Sequence, residues 1–134
     1  MDILAYNYLY DGLVEYNSSL GSPRGNTVVS LPPKEPTYPL TVLQEIRNVG
    51  TNRNSDFERV ASVGYSVRIY AKSKGKVDKQ TIAREIAQFV DNYMRRFLLV
   101  RISYNANESI NDDSIYEIIM TYSGNLHENR RKFI

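Results

Sequence analysis

The sequence predicts an α+β fold, a mostly antiparallel four- to five-stranded sheet with an N-terminal helix and a second, long helix packed on one face. Three observations predict it. Over residues 58–72, Val63, Tyr65, Val67 and Ile69 alternate with Gly64, Ser66, Arg68 and Tyr70, the period of two expected of a half-buried strand. Directly afterwards Ile82, Ile86, Phe89, Val90, Tyr93, Met94 and Phe97 recur at helical spacing, which gives an amphipathic helix over about 78–96. The patterns on either side complete the order α-β-β-β-α-β-β, in which hairpins predominate and pairing is mainly antiparallel.

Taken in order, residues 2–16 form the first helix, with Asp2 at the N-cap and Ile3, Tyr6, Leu9, Tyr10, Leu13 and Tyr16 on one face. Gly12 weakens its interior by up to about 1 kcal/mol relative to alanine, so this helix needs tertiary support. Residues 17–26 are a loop punctuated by Gly21, Pro23 and Gly25, and residues 27–31 a short strand stopped by Pro32 and Pro33. Residues 32–39 hold four of the five prolines and run extended, as a stiff connector across one end of the sheet or as a proline-rich ligand. Leu40, Val42, Gln44 and Ile46 alternate with Thr41, Leu43, Glu45 and Arg47 in a strand over 40–49, and residues 50–56 are a polar hairpin loop. The turn at 73–76 leads to Asp78, which can cap the long helix. Leu98, Val100, Ile102 and Tyr104 then give a fourth strand with almost no connector, followed by a polar loop at 105–113. The fifth strand, 115–123, carries Tyr116, Ile118, Met120 and Tyr122 on one face and is closed by Gly124. Residues 1–124 thus read as one domain and 125–134 as a C-terminal arm.

The length of 134 residues suits one domain with a real core, and 42% apolar and 24% charged residues are ordinary for a globular chain. A net charge of only +2 argues against a protein whose main task is neutralising many phosphates. The absence of cysteine excludes a disulfide framework, a cysteine-ligated zinc and a cysteine nucleophile, and it permits a reducing cytoplasm. No apolar run approaches the roughly 18 residues of a membrane span, and the N-terminus lacks a secretory pattern. Eleven tyrosines with no tryptophan is the unusual feature; tyrosine edges cores and sheets, and it is also enriched at protein interfaces.

The search for chemistry comes out empty. The one histidine, His127, lies in the arm, away from any packed partner for a nucleophile. Glu108, Asn111, Asp112 and Asp113 cluster without the spacing and glycine of a calcium loop, and neither phosphate-cradling glycine motif occurs. No enzyme, no cofactor and no metal is expected. Lys72, Lys74, Lys76 and Lys79 surround Gly75 in a basic turn, either a solvated connector or a sequence-independent contact to phosphates. Arg95 and Arg96 complement the helix C-terminus.

Residues 63–72, Val-Gly-Tyr-Ser-Val-Arg-Ile-Tyr-Ala-Lys, and 114–124, Ser-Ile-Tyr-Glu-Ile-Ile-Met-Thr-Tyr-Ser-Gly, together with the long helix between them, resemble the tail-completion or tail-terminator proteins of long-tailed bacteriophages, some of which are labelled minor capsid proteins. Residues 38–46, Tyr-Pro-Leu-Thr-Val-Leu-Gln-Glu-Ile, resemble the strand before the long loop of that family. The resemblance covers about residues 37–124. It implies a structural virion protein without chemistry, assembled in the bacterial host cytoplasm as a ring, usually six-fold, that ends tail-tube polymerisation and joins tail to head. The implied partners are further copies of the chain, the tail tube protein, a head-side connector or stopper, and genomic DNA passing through the ring without sequence specificity; no membrane is involved. On this sequence it implies subunit-interface or tube-docking roles for Tyr38, for Asn52, Arg53, Asn54 and Asp56, and for Leu126, Arg130, Arg131 and Phe133. Lys72, Lys74 and Lys76 would face the DNA channel. Two alternatives stay open: another neck component of the head-completion or stopper kind, and a small nucleic-acid-binding domain.

Overall fold

The strand and helix that dominate the sequence are also central in space. The computed structural model describes residues 5–19, 26–51, 60–108, 114–127 and 132–133. Its elements are α1 (Ala5–Ser19), β1 (Thr27–Val29), β2 (Leu40–Thr51), β3 (Val60–Lys72), α2 (Lys79–Arg95), β4 (Val100–Glu108), β5 (Ile115–His127) and the two-residue β6 (Lys132–Phe133). The sheet runs β1-β2-β3-β5-β4, and β6 pairs with β5. Every pairing is antiparallel except β1 with β2, which makes the sheet mixed. The α+β class and the order of elements are those the sequence predicts.

Parallel neighbours cannot be joined by a tight hairpin, so the chain must cross over between β1 and β2. Residues 30–39 make that crossover outside any strand, because their prolines cannot donate to a ladder, and the Thr27 amide returns to the Pro39 carbonyl at 3.2 Å. The proline-rich stretch is thus a connector within the domain. A second crossover is longer: β3 passes through α2 to β4, and β5 then inserts between β3 and β4.

Alternation along β3 and β5 sends Val63, Tyr65, Val67, Ile69, Ile118, Met120 and Tyr122 to one face, and all are fully buried. Leu9 and Leu13 of α1 and Ile82, Ile86, Val90 and Met94 of α2 close over that face in the same cluster. Burying side chains of this kind favours folding by about 1.5–3 kcal/mol each. Between the helices sits an aromatic cluster in which the Tyr93 ring lies 5.2 Å from Tyr16, tilted, and 5.0 Å from Phe97, edge to face. Gly12, a weak residue for a helix, is explained here: a Cβ at that position would collide with the Tyr93 hydroxyl, which donates to the Leu9 carbonyl at 2.9 Å.

Local details depart from the sequence reading: β1 ends at Val29, and β2 runs on to Thr51 and β4 to Glu108, so residues 50–51 and 105–108, expected as loop, lie in strands. Residues 17–19 continue α1, and Asn17 joins Asn26 and Thr41 in a buried network with bonds of 2.8–3.0 Å, which ties the helix end to β1 and β2. Asp78 holds the N-cap position of α2 but makes no side-chain capping bond; the Ser73 hydroxyl accepts from the Lys79 amide instead, at 3.0 Å. The lysine turn is closed by two backbone bonds between Lys74 and Val77, with Gly75 at φ +63°, the positive value a II′ turn requires at its first central position. Gly124 does not close β5, which runs on to His127; it makes room for Leu99, whose side chain lies 2.7 Å from where a Cβ would stand. Part of the segment expected as an arm therefore stays with the sheet, through residues 125–127 of β5 and the pairing of β6.

Candidate functional site

The exposed large apolar side chains of the sheet, among the described residues, lie on β2 beyond the end of β1 and on the outer strand β4. β1 covers only Leu40–Val42 of β2, since its three residues pair with those three. The Tyr6 hydroxyl donates to the next carbonyl, that of Leu43. Beyond it, residues 44–51 have no further strand beside them among the described residues. Ile46 and Val49 on this edge are 56% and 53% exposed. On the opposite side β4 pairs, among the described residues, with β5 alone, and its Val100, Ile102 and Tyr104 are 64%, 61% and 43% exposed. Edge strands with bare hydrophobic side chains are templates for adding another strand.

Both edges are shaped by a bulge. The β2–β3 register slips at Ile46, between Glu45 and Arg47, and the β4–β5 register slips at Ile102, between Arg101 and Ser103. A bulge bends its strand and re-aims the side chain that it carries. The sequence reading treated Leu98, Val100, Ile102 and Tyr104 as one alternating set. The structure instead starts β4 at Val100, leaves Leu98 in the turn before it at φ +58°, and buries Leu99. A leucine held in the left-handed region and 61% exposed costs local strain and leaves apolar surface in water.

Behind the β4 edge lies a buried charge. Asp91 of α2 is 2% exposed. Its carboxylate accepts from the Tyr122 hydroxyl at 2.6 Å and faces two guanidiniums, Arg95 at 2.9 Å and Arg101 at 3.5 Å. Burial, and then the hydrogen bond to the Asp91 carboxylate, push the Tyr122 phenol above its ordinary value. One carboxylate against two cations leaves this edge positive. Arg101 also lies 5.6 Å over the Tyr104 ring, and a recess of about 300 Å³ opens there beside Arg84 and Gln88. The β2 edge has its own recess of about 450 Å³ where β1 stops, lined by Ser30, Leu31, Glu45 and Ile46.

The candidate residues named from sequence divide into three groups. Lys72, Lys74 and Lys76 are exposed on or beside the closed turn, and Lys72 Nζ sits 4.9 Å over the Tyr38 ring, which brings two of the named residues together. Leu126 and Phe133 are opposite each other in the β5–β6 pairing. Asn52, Arg53, Asn54, Asp56, Arg130 and Arg131 lie outside the described residues. Sequence reasoning missed Glu45, Ile46, Val49, Val100, Arg101 and Ile102, because a bulge and the spatial order of strands have no signature in residue type. Among the described residues there is no group of three or more ligating side chains suited to a metal, and no helix is long and apolar enough to cross a membrane.

No protein-family model matches the chain, and the search of curated proteins finds no match.

Proposed function

We propose that this chain is a structural virion protein of the tail-terminator kind. It forms a closed ring at the junction of tail and head, ends growth of the tail tube and joins it to a head-side connector around the DNA channel. The observation that carries this reading is the pair of unlike open edges on one sheet, each with exposed isoleucine and valine. A subunit with two different adhesive sides associates head to tail, and such contacts make rings when the rotation closes. The resemblance of residues 37–124 to tail terminators supplies the biological setting. In that setting the lysine turn is a fixed, exposed group of cations suited to contacting passing phosphates without reading sequence.

Light scattering with negative-stain imaging of the purified chain tests the ring: closed annular particles are expected, and a monomer at all concentrations in the presence of tail tubes would overturn it. Replacing Lys74 and Lys76 by glutamine should leave ring mass and fold unchanged and lower the yield of DNA-retaining particles; normal infectious yield would remove the channel role.

A further inference from the structure

We infer that β4 of one copy adds antiparallel to the outer edge of β2 of the next, with Arg101 of the first opposite Glu45 of the second; this rests on the ring reading and names the contact that builds it. A single row across the sheet carries the argument. Glu45 is opposite Tyr65, Tyr65 is opposite Tyr122, and Tyr122 is opposite Arg101. Pleating puts all four side chains on the helix-bearing face, so the row ends in a carboxylate at one edge and a guanidinium at the other. Both ends are exposed. A second copy that continues the sheet brings these opposite charges together in the same row, whereas like charges directly opposite would oppose the pairing.

Direction and shape agree with that register. β2 to β3, β3 to β5 and β5 to β4 are each antiparallel, so β4 runs against β2. A neighbour whose sheet continues in the same sense therefore presents β2 antiparallel to β4, and no inversion of the subunit is needed. The bulged isoleucines then flank the charged row, Ile46 on one side and Ile102 on the other. Apolar cover on both sides of the ion pair strengthens it by excluding water. The next row, Gln44, Ser66, Thr121 and Ser103, is polar from edge to edge, and it brings Ser103 of one copy beside Gln44 of the next. The end of β1 sets the limit of the contact, because the rows of Leu40–Val42 are already occupied.

The chain has no cysteine, so thiols can be placed at will. Within one molecule Gln44 and Ser103 are separated by two intervening strands, a span of about 14 Å, too far for a disulfide. Gln44→Cys and Ser103→Cys are purified separately, checked for native circular dichroism, mixed and treated with oxidant or a short bis-maleimide. Cross-linked dimer is expected in the mixture and not in either variant alone, and the double variant should give a ladder of multimers. Glu45→Arg should raise the concentration for half-assembly by about tenfold or more. Cross-linking of Ser103→Cys by itself would mean a two-fold β4–β4 contact and would overturn the inference. Particles of ring mass with no cross-link and no effect of Glu45→Arg would overturn it while leaving the ring reading intact. Monomer mass with and without tail tubes, together with absence of any cross-link, would overturn both.

Discussion

The roofed face of the sheet and its two edges use apolar residues in opposite ways. Under the helices, Val67, Ile69, Ile118 and Met120 meet Ile82, Ile86, Val90 and Met94, and none of these is more than 1% exposed. At the edges, Ile46, Val49, Val100 and Ile102 are each more than half exposed, two of them on bulges that turn them outward. The first region is covered within one chain; on the proposed ring reading the second is covered by neighbouring copies. Residues that hold the monomer together and residues that hold an assembly together should therefore separate cleanly under mutation.

The largest effect belongs to the roofed face. Ile86→Ala removes a fully buried side chain from the centre of the α2 contact and should lower unfolding free energy by about 2–5 kcal/mol in a denaturant titration. A loss below about 1 kcal/mol would mean that the helix is not seated as described.

Alkaline pH should act on the same region. Burial raises the phenols of Tyr93 and Tyr122 above their ordinary value of 10.0, and the Asp91 carboxylate raises Tyr122 further. Above about pH 10 the unfolded chain releases these protons while the folded chain keeps them, so stability is level below that pH and falls as pH rises beyond it. Thermal melts from pH 8 to 11 should show this fall together with a steep, cooperative rise in tyrosinate absorbance; gradual ionisation without loss of fold would contradict it.

Tyr122→Phe should follow, at about 1–3 kcal/mol, because it leaves the buried Asp91 carboxylate without its shortest hydrogen bond. The variant sharpens the comparison, since Asp91 connects the core to the positive β4 edge. Smallest in stability is Ile102→Asp. Its side chain is largely exposed, so the monomer should change by no more than about 0.5 kcal/mol, yet a charge on the edge should abolish assembly.

The roofed face was legible in the sequence because burial imposes a period, two in β3 and β5 and near 3.6 in α2, and the residues obey it. The edges were not legible, for a physical reason: Val100 and Ile102 have the same composition signal as core residues. What turns them outward is a slipped register together with the insertion of β5 between β3 and β4. Glu45 and Arg101 are 56 positions apart in the chain and unremarkable singly; only the order of strands aligns them at opposite ends of one row. Gly12 and Gly124 are intermediate cases. Gly12 signalled a weak helix and Gly124 the end of a strand, and the structure shows each as room for a close neighbour, Tyr93 and Leu99.

The most direct test of the central claim weighs two particles side by side. Wild type and Ile102→Asp, at the same micromolar concentration and with matched circular dichroism, are compared by mass measurement in solution. A closed multimer for the wild type and a folded monomer for the variant is the predicted result, and equal masses for the two would contradict it.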